Sequence, residues 1–186
     1  MRIVAGVHRG RALQAPTGKA VRPTADRTRQ ALFNLLEHGR IAADGARVAG
    51  ARVLDVFAGT GALGLEALSR GAASLTAMER DAAALALIRA NVAMLGETER
   101  TTLLQADALA PPQAPAPAGL IFLDPPYGED LAAPALLALE AQGWIAEGAI
   151  VAVETGSKDP FEPPPGFTAL DARRYGRAII WLIEKR

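Results

Sequence analysis

The sequence predicts an α/β fold, a mostly parallel sheet wrapped by helices, on three observations. From Arg52 onward, short β-rich runs alternate with helical ones, the mark of βαβ units. A glycine-rich loop joins the first of these strands to the first of these helices. Near the end the alternation stops, and two strand-like runs follow one another as an antiparallel pair that closes the sheet.

Each element has a local reason. "RVLDVF" (52–57) is the first strand, and "GALGLEALSR" opens a helix that Gly71 stops at its C′ position. "SLTAMER" (74–80) is the second strand, followed by a helix from Asp81 as N-cap to Leu95, with Gly96 behind it. "TTLLQAD" (101–107) is the third. Alternating Pro and Ala in "ALAPPQAPAPAG" forbid a regular element and predict an exposed, fairly stiff loop. The unbroken apolar run of "LIFLD" (120–124) predicts a fourth strand buried on both faces. Residues 131–142 read as a helix, "GAIVAVE" (148–154) as the fifth strand, and "FTALDARRYG" with "RAIIWLIEK" as the closing pair.

The front of the chain, residues 1–45, is set apart from the domain at 46–186. "RIVAG" and "GRALQAP" predict two short strands paired as a hairpin. "RPTADRTRQALFNLLEHG" predicts a helix with Thr24 as N-cap and an apolar stripe of Ala31, Leu32, Leu35 and Leu36. Lys plus Arg and Asp plus Glu both total 20, so charge preference lies in placement. Residues 1–30 hold Arg2, Arg9, Arg11, Lys19, Arg22, Arg27 and Arg29 against Asp26, seven minus one, leaving the remainder net acidic by six. Such a cluster is an electrostatic footprint for phosphate, to which Tyr175 with Arg173, Arg174 and Arg177 can add.

Several chemistries recede. Without cysteine there is no disulfide framework, thiolate nucleophile or Cys-based zinc site, and two isolated histidines, His8 and His38, build no metal centre alone. The first residues lack a signal-peptide core, and no apolar run approaches the roughly 20 residues that span a bilayer, so a cytoplasmic protein is the expectation.

"DVFAGTGALG" places Gly59, Gly61 and Gly64 in the G-x-G-x-x-G pattern between strand and helix, and Glu79 follows Gly59 by twenty residues, where a carboxylate can accept the hydroxyls of an adenosine ribose. That much fits a nicotinamide dinucleotide and S-adenosylmethionine equally. Asp55 separates them. A carboxylate beside the loop repels a pyrophosphate seated on the helix N-terminus, but attracts the ammonium and sulfonium of S-adenosylmethionine. Asp107, after the third strand, is placed to accept from an adenine amino group, with Met78 and Ala108 flanking the ring. For Asp55 or Asp107 taken singly, a cap or turn role weighs the same.

The fourth strand ends in "DPPY". An exocyclic aromatic amine is a poor nucleophile until its lone pair is turned toward the electrophile, and two acceptors, the Asp124 carboxylate and the Pro125 carbonyl, can turn it. They also stabilise the charge that develops on nitrogen. Pro125 and Pro126 stiffen the mount, and Tyr127 offers a ring for an unstacked base, an interaction worth about 1 to 3 kcal/mol.

D-V-F-A-G-T-G with D-P-P-Y resembles the class I S-adenosylmethionine-dependent amino-methyltransferases. The front segment, "RIVAGVHRGRAL" then "RPTADRTRQALFNLL", resembles more particularly the bacterial RsmD family, which methylates the exocyclic N2 of one guanine in small-subunit (16S) ribosomal RNA. The resemblance implies a Rossmann-like, seven-stranded sheet with a reversed C-terminal hairpin. It implies a donor site at Asp55, Phe57, Ala58, Gly59, Thr60, Gly61, Glu79, Arg80, Asp107 and Ala108, with catalysis at Asp124, Pro125, Pro126 and Tyr127. It further implies that Arg9, Arg11, Arg22, Pro23, Thr24, Arg27 and Arg29 help to hold 16S RNA, presented on an assembling small subunit. Tyr127 stands where relatives often have Phe, and Thr60 where Ser is common. The rivals are an amino-methyltransferase of DNA or another RNA, a nicotinamide-dependent oxidoreductase, which would lack a substrate domain and a placed His, and a catalytically silent RNA-binding module.

Overall fold

The computed structural model describes residues 1–15, 23–39, 47–159 and 161–186, with residues 23–25 by their backbone alone. Among these, seven strands form one sheet: β1 (Arg52–Val56), β2 (Ser74–Glu79), β3 (Thr101–Gln105), β4 (Ala118–Leu123), β5 (Ile145–Gly156), β6 (Phe167–Tyr175) and β7 (Ala178–Lys185). Their order is β3-β2-β1-β4-β5-β7-β6. The first five run parallel to one another, and β7 runs antiparallel to both β5 and β6. This is the mostly parallel sheet with a reversed C-terminal hairpin that the sequence predicts. Chain order reverses between β1 and β4, so a crevice opens at their carboxyl ends, the place where such sheets take ligands.

The helices are α1 (Pro23–His38), α2 (Ala62–Ser69), α3 (Ala82–Leu95) and α4 (Ala132–Ala141). Strand alternation divides the core in two. Val53, Leu120, Phe122 and Ile150 face α1, α2 and α3, whereas Leu54, Ile121, Leu123 and Val151 face α4. Both faces are covered, which is why these strands read as continuous apolar runs. Asp81 caps α3 by accepting from the N–H groups of Ala83 and Ala84, and Gly96 ends the helix in the left-handed region. The alanine-proline loop is stitched to the turn after α4: Ala114 N donates to Gln142 O, and Trp144 Nε1 to Pro112 O.

The front segment departs from expectation in two ways. It folds back on itself, with Ile3 N donating to Arg11 O and Leu13 N to Met1 O, but forms a single antiparallel bridge, Arg2 to Ala12, rather than two strands. The reason lies in its donors, many of which are claimed from outside the segment. Val4 N and Ala5 N donate to the Glu66 carboxylate, Val7 N and His8 N to the carbonyl and hydroxyl of Ser69, and Gln14 N to Asn91 Oδ1. Thr24 is not an N-cap but lies within α1, which begins at Pro23, because the fixed φ of proline suits the first helical position. Gly6 is required where this segment crosses α2: its φ is +80°, and a Cβ there would come within 1.8 Å of Ser69 O.

Glu66 anchors this arrangement. Fully buried on α2, it also pairs with Arg70 Nε at 2.8 Å and lies 3.5 Å from Arg29 Nε. Arg70 continues to Glu37 on α1 at 2.7 Å, and its guanidinium stacks over Phe33. Removing one partner of a buried ionic cluster strands the others without compensation. Glu66→Ala is therefore expected to lower the free energy of unfolding by about 3 to 5 kcal/mol. Urea titration checks this, and a midpoint equal to that of the wild type would remove Glu66 from the role of anchor.

Candidate active site

A cleft of about 530 Å³ opens at the carboxyl ends of β1, β4 and β5. Its floor comes from β1 and the glycine loop, with Asp55, Phe57, Ala58, Gly59 and Thr60. Asp124 and Tyr127 follow β4, Glu154 lies on β5, Tyr175 ends β6, and Arg177 comes from the turn between β6 and β7. Met1, Thr28, Arg29 and Leu32 of the front segment complete the wall.

Close packing fixes the loop. Asp55, only 2% exposed, accepts from Gly64 N at 2.9 Å, which ties the end of β1 to the first turn of α2. A Cβ on Gly64 would fall 2.4 Å from a Leu75 methyl and 3.1 Å from Asp55 Oδ2, so only glycine lets helix and carboxylate meet. Glu79 supports the loop from β2: one carboxylate oxygen accepts from Gly59 N at 3.0 Å, the other from Asp81 N at 2.9 Å. Asn91, fully buried on α3, donates to both Thr60 O and Gln14 O, joining the loop to the front segment.

Three acids converge here. Burial pushes Asp55 from its ordinary 3.8 up to about 7, against the pull of the Gly64 N–H and with the charge of Glu79 adding to the rise. Asp124 is exposed to the cleft, yet the protein atoms around it cost its carboxylate hydration, and that desolvation, then the charges of Glu154 and Asp55, hold it well above the carboxylate range. Burial also raises Glu154, partly offset by the hydrogen bond that it accepts from the Tyr127 hydroxyl. A cluster of crowded acids is relieved by a cation and repels an anion. The cleft thus suits a positively charged ligand and disfavours a pyrophosphate at the same loop.

The residues singled out in the sequence divide accordingly. Asp55, Phe57, Ala58, Gly59, Thr60, Asp124 and Tyr127 share the cleft. Pro125 and Pro126 line a small adjoining hollow that shares Tyr127 and Glu154. Gly61 is the buried left-handed residue ahead of α2, and Arg80 is exposed beyond β2. Asp107 is exposed and does not line the cleft, and its Oδ1 accepts from Leu109 N, the turn role weighed for it. Met78 and Ala108 are buried in the core, so neither flanks a ring there.

Of the front-segment basic residues, Arg9, Arg11 and Arg27 are exposed, and Arg11 Nη1 donates to Met94 O. Arg22 lies outside the described residues, and Pro23 and Thr24 form the opening turn of α1. Arg29 requires a correction: at 5% exposure it is not a surface phosphate contact. Helical spacing puts it on one face with Leu32, Phe33 and Leu36, and its guanidinium is held by Asp26 at 3.0 Å and by the Arg2 carbonyl. Glu154, Glu66 and Asn91 were not singled out in the sequence. For Glu154 the available signal was a carboxylate ending the buried run "AIVAVE" one strand over from Asp124.

Comparison with known proteins agrees with this geometry. Residues 1–184 match the family model described as conserved hypothetical protein 95. Ribosomal RNA small subunit methyltransferase D of Escherichia coli is 33% identical over 187 residues, covering 100% of this chain and 90% of the relative. The protein of that name in Haemophilus influenzae is 33% identical over 180 residues, covering 95% and 89%. A solved Escherichia coli structure described as a candidate methyltransferase superposes with a TM-score of 0.83 at 32% identity, covering 100% of this chain and 98% of that one. Matched along nearly its whole length by this family model and by relatives of one kind, the chain belongs to the RsmD family of methyltransferases.

Proposed function

We propose that the protein transfers a methyl group from S-adenosylmethionine to the exocyclic N2 of a specific guanine in 16S ribosomal RNA, presented on an assembling small subunit. The observation that carries this reading is the convergence of Asp124 and Tyr127 with a crowded acidic cleft beside the glycine loop. Full-length relatives named as small-subunit ribosomal RNA methyltransferases support the choice of RNA.

The residues present fit the donor. Asp55 attracts its cationic groups, and Glu79, which still has lone pairs after accepting from Gly59 and Asp81, is near enough to the loop to take ribose hydroxyls. When bound, S-adenosylmethionine supplies an electrophilic methyl carbon. Asp124 and the Pro125 carbonyl accept the two amine hydrogens of the target, directing its lone pair into the cleft. As the nitrogen gains positive charge, Asp124 stabilises it and then takes the proton that the new secondary amine sheds. Tyr127, 49% exposed, carries the flipped base on its ring, and the Glu154 carboxylate steadies its hydroxyl. Arg9, Arg11 and Arg27 hold the RNA backbone outside.

Asp124→Ala is expected to abolish transfer, a loss of at least about a thousandfold, while donor affinity stays within about threefold, since its partner is the amine. Incubation with labelled donor and small-subunit particles lacking the modification, then mass-spectrometric mapping, tests both activity and position. Label on another base, or on no RNA, overturns the proposal. Donor binding carries its own test. The free protein keeps a proton on Asp55 below about pH 7, and a cation must displace it. Affinity measured by calorimetry should therefore strengthen as pH rises from about 5.5 to 7.5, by up to about tenfold per unit, and Asp55→Asn should flatten the slope. Without ligand the sign reverses for stability: Asp55 binds the proton more tightly folded than unfolded, so its contribution is lost as pH rises from about 4 to 7. A wild-type donor affinity independent of pH would contradict the assigned role.

A further inference from the structure

An acceptor pair for an amine, with a ring for stacking, recognises adenine, cytosine and guanine alike. The three bases differ in the atom beside the amine. In adenine and cytosine the neighbouring ring nitrogen on the Watson–Crick edge is an acceptor, whereas in guanine N1 carries a hydrogen next to N2. A site that takes guanine at N2 therefore needs a second acceptor adjacent to the first.

Glu154 stands in that place. β4 and β5 are parallel, with Leu123 opposite Val153, so Asp124, just past the end of β4, stands beside Glu154, which is still within β5. Both line the cleft, together with Tyr127. The Tyr127 hydroxyl donates to one oxygen of Glu154, which orients the carboxylate and favours its charged form, and a carboxylate keeps capacity for further donors. The same contact links the acceptor to the ring on which the base lies. We propose that Glu154 selects guanine by accepting its N1–H while Asp124 holds the adjacent N2 amine, making Glu154 the specificity-determining residue of the cleft. A base with an unprotonated nitrogen at that position would set a lone pair against a carboxylate. This assignment rests on the N2-methylation proposed above.

2-Aminopurine separates the two readings, since it keeps the N2 amine but has an acceptor at N1. Small-subunit particles are reconstituted with RNA carrying guanine or 2-aminopurine at the mapped target, and transfer rates are measured for wild type and Glu154→Gln. Wild type should prefer guanine by about a hundredfold or more, because a site built to bond a donor rejects the analogue lacking it. Glu154→Gln still accepts from Tyr127 but can turn an amide N–H toward N1, so its guanine rate should fall by about a hundredfold and its preference should shrink toward parity. Equal use of both bases by wild type, which needs no variant to fold, overturns the inference. So does a Glu154→Gln enzyme that slows on both bases by one common factor, the signature of a merely structural role. Absence of any transfer to guanine by wild type would instead remove the N2-methylation on which the inference stands.

Discussion

The buried carboxylate of Glu66 receives two backbone N–H groups from the front segment and the Nε of Arg70, and it lies beside Arg29. Its position on α2 makes these contacts matter for chemistry, because α2 begins at the glycine loop. The helix that presents its first turn to the cleft is the one on which the front segment is mounted, so the segment cannot shift without moving the loop. Asn91 supplies a second tie from α3, bonding Gln14 on one side and Thr60 on the other. A third lies at the far end, where His8 meets Glu97 at 2.6 Å and Arg100 holds Glu97 from behind.

Within the cleft the controlling fact is charge crowding. Asp55 is not free to move away from Asp124, since the Gly64 N–H holds it at the end of β1, and Asp124 is placed just past the end of β4, beside Glu154 on β5. Acids that cannot separate must either hold protons or meet a cation. Both requirements fit the proposed reaction, in which a cationic donor is attracted to the site and a carboxylate with a raised proton affinity accepts the proton that leaves the methylated amine. A dinucleotide would bring further negative charge to the same loop, so the G-x-G-x-x-G pattern common to both ligand classes is decided here by its neighbours.

Much of this was legible in the sequence because it is local. Strand positions followed from apolar runs, the Asp81 cap and Gly96 stop from helix-end chemistry, and the reaction type from a strand ending in Asp, two prolines and an aromatic ring. What escaped was set by distant partners. Thr24 has the chemistry of a cap, but the fixed φ of Pro23 makes that proline the first residue of the helix. The predicted front hairpin lost its ladder because Glu66, more than sixty residues away, claims the donors that a second strand would have used. Arg29 looked like part of a basic surface because charge was counted along the chain. Its spacing to Leu32, Phe33 and Leu36 already put it on the buried face of α1. Glu154 was hidden for a related reason: a strand pattern says which residues face a layer, but only register says that this one stands beside Asp124.

The division at residue 45 also changes meaning. In composition the front segment is distinct, basic against an acidic remainder. In packing it is not: Ile3, Leu13, Leu32, Phe33 and Leu36 share one core with the β-sheet and α2, and the rings of Phe33 and Phe122 lie 5.5 Å apart. Met1, Thr28, Arg29 and Leu32 form one wall of the same cleft that contains Asp55 and Asp124. A segment proposed to hold RNA on its exposed side therefore bounds the cleft on its buried side. Arg29 bridges Asp26 on α1 and Glu66 on α2, so the front segment is tied to the helix that follows the glycine loop. The exposed basic residues of the front segment and its wall of the cleft thus belong to one packed layer, which Glu66 joins to the helix that follows the glycine loop.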